Sequence, residues 1–460
     1  MGAIAAAMAR AGRRVTGSDE ACYPPMSHYL EQSGLVLRTP YHPDNLPAEA
    51  ECFVVGKRVD VANAELQAAL ADGRPLLSFP RFLKQHVIGG SRNLVVAGGV
   101  GKTTTSSMLA WILECNGVEP DYLIGGMPLN FEHPARLNGS GVAVLEGDEY
   151  ASCFNDPLPK FLHYCPEVLV ITNVLEDHPD LYNDLAGLQQ VFAQLIRQLP
   201  PHGLLVLSAH DPGSRRLADH APCRTVSVGF DGRGEVRICS LGLHATGSRF
   251  VIDEAAVDLA MWGRMNVMNA AMAMVAARHV GVGYSDSARA LSGFAGVGNR
   301  QTARDCGGAT LIHDKATHPQ ALAMLLESLR QRFPGRRLVS LIQPRATGGQ
   351  GWIYQQQLPG VLAQADLVLL LKPYEHKPKP GQEWPGGAFC IGRLASELAA
   401  RSVPVESVAE LDQLAVVIAR HVRPEDVMLA TLPEQALELI EQIDVGLMHQ
   451  TLPVETPVLP

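Results

Sequence analysis

The residues with the plainest chemistry lie at 94–105, Leu94-Val95-Val96-Ala97-Gly98-Gly99-Val100-Gly101-Lys102-Thr103-Thr104-Thr105. An apolar, strand-like run passes through glycines into a helix-forming stretch. Glycines there let backbone N–H groups converge on one point, and the helix that follows aims its positive end the same way. That is a cradle for phosphate oxygens. In such a loop the lysine, Lys102, reaches the β and γ phosphates, and the hydroxyl of Thr103 sits on Mg²⁺. Gly98, Gly99, Gly101 and Thr104 complete the expected nucleotide contacts. Val96 stands where the strict pattern has glycine, so the match rests on Gly-Lys-Thr at a strand-to-helix junction.

A phosphate cradle names no reaction. Two acidic segments narrow the choice. The run 142–145 leads into Glu146-Gly147-Asp148-Glu149, and 168–172 leads through Asn173 into Glu176-Asp177-His178-Pro179-Asp180. In a parallel sheet the carboxyl ends of strands gather on one edge, the edge that carries the phosphate loop. Hard oxygen ligands with one imidazole suit Mg²⁺ or Mn²⁺ clamped to nucleotide phosphates. Either cluster alone reads as helix capping and solvated charge; their succession after the loop makes a site.

The elements that must position these groups are legible as alternation. Strands are predicted over 52–55, 94–97, 142–145, 168–172, 204–207, 310–312, 338–342, 366–371 and 427–430. Helices are predicted over 103–115, 185–198, 267–279, 319–332 and 409–422. Apolar strands joined by helices imply an α/β chain whose mostly parallel sheets are covered on both faces. Turn residues between 226 and 260, among them Gly229, Asp231, Gly232, Gly234 and Gly247, predict a small antiparallel excursion. Gly89-Gly90-Ser91 and the glycine-spaced stretch 293–298 divide the chain into units 1–91, 92–299 and 300–460. The Pro/Gly/Lys-rich stretch 372–386 reads as a surface loop, and 452–460 as a loosely held tail.

Composition agrees with three packed units at roughly 150 residues each. Of 460 residues, 47% are apolar and 18% charged, which excludes a mainly disordered chain. A net charge of −9 argues against broad nucleic-acid or anionic-membrane binding. The cysteines are nine, scattered singly and without a CxxC pair. They predict neither disulfides nor zinc, but reduced, mostly buried thiols in a cytoplasm. No apolar run reaches the roughly 18 residues of a membrane span, and the alanine-rich 1–10, lacking a basic lead, reads as a helix and not a signal sequence.

At this point the residues resemble the Mur ligases of bacterial cell-wall synthesis. The stretches that carry the resemblance are Arg14-Val15-Thr16-Gly17-Ser18-Asp19, Tyr23-Pro24-Pro25-Met26-Ser27, Leu123-Ile124-Gly125-Gly126 with Pro128 and Asn130-Phe131, and Lys160-Phe161 with His163-Tyr164. The resemblance implies three domains: a Rossmann-like one gripping a UDP-sugar, a central ATPase and a Rossmann-like one admitting the amine. It implies an ADP-forming ligase that joins UDP-N-acetylmuramate to a cell-wall peptide through an acyl phosphate, with ATP and Mg²⁺, as a cytoplasmic monomer. Lys102 and Thr103 then take the phosphate and magnesium roles, and Glu149 and His178 match the metal-side ligands. Asp211, Asn266 and Asn269 fall at nucleotide contacts, Arg300 at an arginine reaching the γ-phosphate, and Asp314 where the third domain touches ATP. Ser18 and Asp19 match the turn that faces the uridine, with Tyr23 counted beside them as substrate-binding. Arg345 is counted as substrate-binding, in a pocket for an amine substrate with acidic groups; the stretch 372–379 is offered to the same pocket but reads first as a solvated basic loop.

The departures cluster at the site. The family's G-T-H-G-K-T reads Gly98-Gly99-Val100-Gly101-Lys102-Thr103, Leu175 replaces a glutamate and Met265 a histidine. D-D-x-A-H-H-P reads His313-Asp314-Lys315-Ala316-Thr317-His318-Pro319; Lys315 resembles the lysine of the D-glutamate-adding branch, which implies a phosphate contact. E-P-R-S-N reads Gln343-Pro344-Arg345-Ala346-Thr347, and a late S-N-G reads Thr431-Leu432-Pro433. Two alternatives follow: a non-catalytic paralogue that binds nucleotide or cell-wall precursor, or a ligase for another acid and amine. Met1-Gly2-Ala3 also falls where relatives have passed a first strand and glycine-rich turn that help hold the UDP pyrophosphate. The expectation is a first unit without its opening strand, from a start codon upstream of Met1 or with a weaker sugar-nucleotide grip.

Overall fold

The computed structural model describes residues 1–22, 26–175, 182, 184–316, 318–344, 350–373, 389–408, 411–432 and 443. Tyr23, His178, Thr317, Arg345 and the stretches 374–388 and 452–460 lie outside them.

The alanine-rich start is α1 (Gly2–Arg10), which buries Ala3, Ile4, Ala6 and Ala7. Four short strands follow as two parallel pairs, β1 (Gly17–Ser18) with β2 (Leu37–Arg38), and β3 (Phe53–Val55) with β4 (Leu76–Ser78). The two pairs are separate sheets. Ser78 ends β4 and caps α2 (Phe79–His86), its hydroxyl accepting from the Arg81 N–H at 3.4 Å.

The central unit is built on β5 (Arg92–Ala97), α3 (Lys102–Cys115), β6 (Asp121–Leu123), β7 (Ala135–Arg136), β8 (Val142–Gly147), β9 (Val168–Ile171), α4 (Leu185–Ile196), β10 (Leu204–Ser208), β11 (Arg224–Phe230), β12 (Val236–His244), β13 (Gly247–Ile252), β14 (Ala255–Leu259) and α5 (Gly263–His279). Its ten strands run in the order β14-β13-β12-β11-β10-β9-β5-β8-β6-β7. Pairing is parallel from β6 through β8, β5, β9, β10 and β11 to β12. Every residue of β9 and β10 is buried, as a strand covered on both faces requires. Residues of α3 and α5 fill one face of this sheet. The other face packs against α4 and also against Ala3, Ile4 and Ala7 of α1 and Phe79 and Leu83 of α2. The first unit therefore shares the central unit's core.

The antiparallel excursion is present at β12–β13–β14 but continues the large sheet. Its first pair departs from the expectation. β11 and β12 run parallel although only 231–235 joins them, with Asp231 in the left-handed region at φ +55°. Parallel strands ordinarily need a crossover of a dozen or more residues.

The last unit carries β15 (Thr302–Cys306), β16 (Ala309–Asp314), α6 (Pro319–Arg332), β17 (Leu338–Ile342), β18 (Leu367–Leu371), β19 (Val405–Val408) and β20 (Val427–Thr431). The order is β15-β16-β20-β17-β18-β19, parallel except for the β15–β16 hairpin. The predicted helix 409–422 is a helix at Leu414–His421, with 409–410 outside the described residues. The unit meets the central one where α6 crosses the start of α5. Gly263 has φ +85°, and a Cβ there would strike the Ser328 side chain, so the glycine lets the Ser328 side chain of α6 seat directly on the backbone of α5.

The cysteines correct the expectation of mostly buried thiols. All nine are free, Cys153 and Cys306 are buried, and Cys115, Cys165, Cys239 and Cys390 are exposed. The exposed ones sit at helix ends (Cys115, Cys390), in the loop before β9 (Cys165) or on β12 (Cys239), outside the packed interiors of β5, β9 and β10. No helix among the described residues is long and apolar enough to cross a membrane.

Candidate functional site

The loop between β5 and α3 lies against the carboxyl end of β9. Gly98 and Gly101 hold φ of +129° and +91°, and neither has space for a side chain. A Cβ on Gly98 would meet Thr172, and one on Gly101 would sit 2.6 Å from Asn269 Oδ1. The loop N–H groups of Gly99 and Val100 donate to Asn173 Oδ1 at 3.0 and 2.9 Å, while Asn173 Nδ2 donates back to Val100 O at 2.8 Å. Asn173 thus pins the loop to the neighbouring strand end.

Lys102, at the first position of α3, folds back over the loop. Its Nζ donates to Gly98 O at 2.5 Å and stands 3.6 Å from Glu149 Oε2. Glu149 is only 3% exposed, so the ammonium supports a carboxylate held away from water. Thr103 is buried, and its hydroxyl donates to Glu146 Oε1 at 2.9 Å; the other oxygen of Glu146 accepts from the Gly125 N–H at 2.7 Å. Burial and then the neighbouring Asp148 push the Glu146 carboxyl up, while Lys102, Gly125 and Thr103 pull it down. Asp148 pairs with Lys160 at 3.2 Å. The side chains of Thr103, Glu146 and Glu149 form a hard-oxygen set beside one ammonium, which fits a phosphate-bound Mg²⁺. Among the described residues no three His, Cys, Asp or Glu side chains form a metal cage. His178, the second expected ligand, lies outside the described residues.

Asp211 follows β10. It caps the short helix Pro212–Arg215, with Oδ2 accepting from Ser214 N at 2.7 Å and from Val174 N at 3.0 Å. Its carboxylate therefore ties two strand ends together. Asn266 and Asn269 lie on one face of α5, both buried, with Asn269 Nδ2 donating to Asn266 Oδ1 at 3.4 Å. Asn266 Nδ2 donates to Trp262 O at 2.9 Å and to Gln301 Oε1 at 3.1 Å. Asp314, at the end of β16, accepts from the Gln301 and Ala316 N–H groups at 2.8 and 2.7 Å. Burial raises its carboxyl, opposed first by the Arg300 guanidinium. Arg300 lies between Asn299 and Gln301, both left-handed at φ +59° and +49°.

The sequence-predicted residues therefore fall into groups. Gly98, Gly99, Gly101, Lys102, Thr103 and Glu149 meet at the loop, with Thr104 buried behind them in α3. Asn269 and Asn266 adjoin that group, and Gln301 links them to Arg300, Asp314 and Lys315. Ser18 and Asp19 stand in the first unit, where Ser18 pairs with Arg38 and Asp19 Oδ1 accepts from Glu20 N at 2.8 Å. Burial and then Asp19 raise the neighbouring Tyr41 hydroxyl to about 12. Tyr23 and Arg345 are not among the described residues. Glu146 belongs to the acidic cluster that the sequence offers to a metal, and the structure adds its bond to Thr103. Asn173 is signalled only by its strand end, and nothing local distinguishes Gln301.

Residues 96–277 match the Mur ligase middle domain, and residues 1–89 match the Mur ligase family, catalytic domain. The UDP-N-acetylmuramate–L-alanyl-gamma-D-glutamyl-meso-2,6-diaminoheptandioate ligase of Escherichia coli K12 is 33% identical, over 93% of this chain and 92% of its own. The crystal structure of a murein peptide ligase from Psychrobacter arcticus superposes with a TM-score of 0.71 at 27% identity, covering 97% of this chain and 96% of that one. A UDP-N-acetylmuramate:L-alanyl-gamma-D-glutamyl-meso-diaminopimelate ligase from Neisseria meningitides is 36% identical with a TM-score of 0.59, covering 64% of this chain and 94% of its own. A phosphate loop pinned to its strand end, two carboxylates at its mouth and likeness along nearly the whole chain agree: this chain belongs to the Mur ligase family.

Proposed function

We propose that the protein is an ATP-dependent carboxylate–amine ligase that joins UDP-N-acetylmuramate to a cell-wall peptide. The observation that carries this reading is the pairing of Lys102 with Glu149 and of Thr103 with Glu146 at the mouth of the phosphate loop. The relatives named as UDP-N-acetylmuramate ligases support the choice of substrates. The units 1–91, 92–299 and 300–460 then hold the sugar nucleotide, ATP and the peptide amine, in a cytoplasmic monomer.

The muramyl carboxylate attacks the γ-phosphorus of ATP, giving an acyl phosphate and ADP. The peptide amine attacks the acyl carbon, and the tetrahedral intermediate releases phosphate, leaving an amide. Lys102 and the loop N–H groups orient the phosphates, and Arg300 and Lys315 bring positive charge from the junction side. Such transfer needs little beyond positioning and neutralisation of charge. Thr103, Glu149 and His178, with Glu146 behind Thr103, would hold Mg²⁺, which supplies charge neutralisation when bound. Asp211, Asn266, Asn269 and Asp314 shape the nucleotide's surroundings. Ser18, Asp19 and Tyr23 serve the UDP-sugar, and Arg345 the acidic peptide.

The test mixes the protein, ATP, Mg²⁺, UDP-N-acetylmuramate and L-alanyl-gamma-D-glutamyl-meso-diaminopimelate, then follows ADP and a new amide by mass spectrometry. Turnover that needs both partners and vanishes in Lys102→Ala supports the ligase. Nucleotide binding without turnover under any acid–amine pair would leave a binding protein instead.

A further inference from the structure

A line of amide side chains crosses the molecule from the phosphate loop to the last unit. Gly101 has no room for a Cβ because Asn269 Oδ1 lies against it. Asn269 donates to Asn266, Asn266 donates to Gln301 Oε1 at 3.1 Å, and the Gln301 N–H donates to Asp314 Oδ2 at 2.8 Å. Gln301 is 7% exposed. Its Oε1 is thus used, yet its Nε2 is buried and, among the described residues, has no hydrogen-bond partner. A buried amide donor without an acceptor is costly, and most such groups in folded proteins are satisfied. The backbone adds a second sign. Gln301 is held at φ +49°, a conformation glycine would adopt with less strain, and Arg300 beside it is bracketed by Asn299 at φ +59°. Strain of this kind gathers at ligand clamps.

We propose that Gln301 is a nucleotide-binding residue whose Nε2 donates to a phosphate oxygen of bound ATP, so that the chain Gly101–Asn269–Asn266–Gln301–Asp314 links phosphate occupancy to the seating of the last unit. The phosphate end of the nucleotide is chosen because Asn269 borders the phosphate loop and Arg300 adjoins Gln301. The inference rests on the ATP reading above. It goes beyond the residues expected from the sequence, where position 301 carried no signal.

The experiment compares Mg²⁺-ADP and Mg²⁺-AMPPNP binding by titration calorimetry in the wild-type protein, Gln301→Glu and Gln301→Met. Glu keeps the oxygen that accepts from Asn266 but replaces the donor with negative charge. The expected result is AMPPNP affinity lower by about ten- to hundredfold in Gln301→Met, the range for a hydrogen bond to a charged acceptor, and by at least as much in Gln301→Glu, where like charge is added. Adenosine affinity should be unchanged in both, which a merely structural role would not produce. If Gln301→Glu does not fold, the Met variant carries the test alone. Equal AMPPNP affinity in the variants and the wild type would overturn the inference and leave the ATP reading intact. A wild-type protein that binds neither nucleotide would overturn both.

Discussion

Thr103 and Glu146 meet across the mouth of the phosphate loop, hydroxyl to carboxylate at 2.9 Å, although 43 positions separate them in sequence. The hydroxyl comes from the first turn of α3, which follows β5, and the carboxylate from the end of β8; the parallel pairing of β5 with β8 brings the two together. Glu146→Gln preserves the size and one acceptor of this side chain while removing its charge. ADP release in the complete ligase assay should fall by about 10²-fold, the scale for losing one preorganised charged group. The thermal midpoint should stay close to the wild-type value, and an unchanged rate would show that Glu146 only braces Thr103.

Gly101→Ala should damage binding and fold together. The added methyl would lie 2.6 Å from Asn269 Oδ1, on a backbone at φ +91°. A destabilisation of about 1–3 kcal/mol is expected. Urea unfolding would measure it, and calorimetry should show ATP affinity reduced as the loop shifts.

Arg332 lies over the Trp262 ring, 3.2 Å from its centroid, and so joins α6 to the residue before α5. Burial alone lowers the guanidinium to about 10. Arg332→Ala removes a contact of this type worth about 1–2 kcal/mol, and its packing as well. The expected outcome is earlier unfolding in urea together with an altered tryptophan emission maximum. An emission spectrum and midpoint identical to wild type would show that the stack contributes nothing.

His313 sets the direction of an acid limb. Burial first, then Lys315, Arg304 and Arg300, push its imidazole down from 6.5 to about 4. Between those values the unfolded chain binds a proton that the folded protein refuses. Stability therefore rises with pH through that window and is lost on acidification. Thermal midpoints measured from pH 7 to pH 4.5 should fall less steeply in His313→Gln than in wild type. Parallel curves would assign the acid limb to other groups.

Much of the site was legible because its signals are local. Gly98 to Thr104 announce a phosphate loop within one strand-to-helix turn, and Glu149 closely follows a strand that apolar patterning alone identifies. Asn173 could be placed on the right edge but not in its role, and Glu146 could be read as a candidate metal ligand but not as the partner of Thr103. Whether a polar side chain binds a ligand, caps a helix or pins a loop depends on neighbours distant in sequence. Asp211 shows the same limit, since beyond its local cap on Ser214 its carboxylate also holds the Val174 N–H, 37 positions away, which no spacing rule foretold.

By itself, the sequence determined the alternation of strands and helices, the phosphate cradle, the acidic strand ends and the resemblance that pointed to the Mur ligases. Each of these is written in residue types at short range, where glycine conformation, side-chain periodicity and helix polarity act. Only the tertiary structure decided that α1 and α2 complete the central core, that β11 and β12 pair in parallel, that Glu146 holds Thr103, and that Gln301 joins Asn266 to Asp314. Those relationships join residues far apart in the chain, and each depends on which strands become neighbours and how the units pack. Strand order and interdomain packing are collective outcomes of burial, and no single stretch of sequence encodes them.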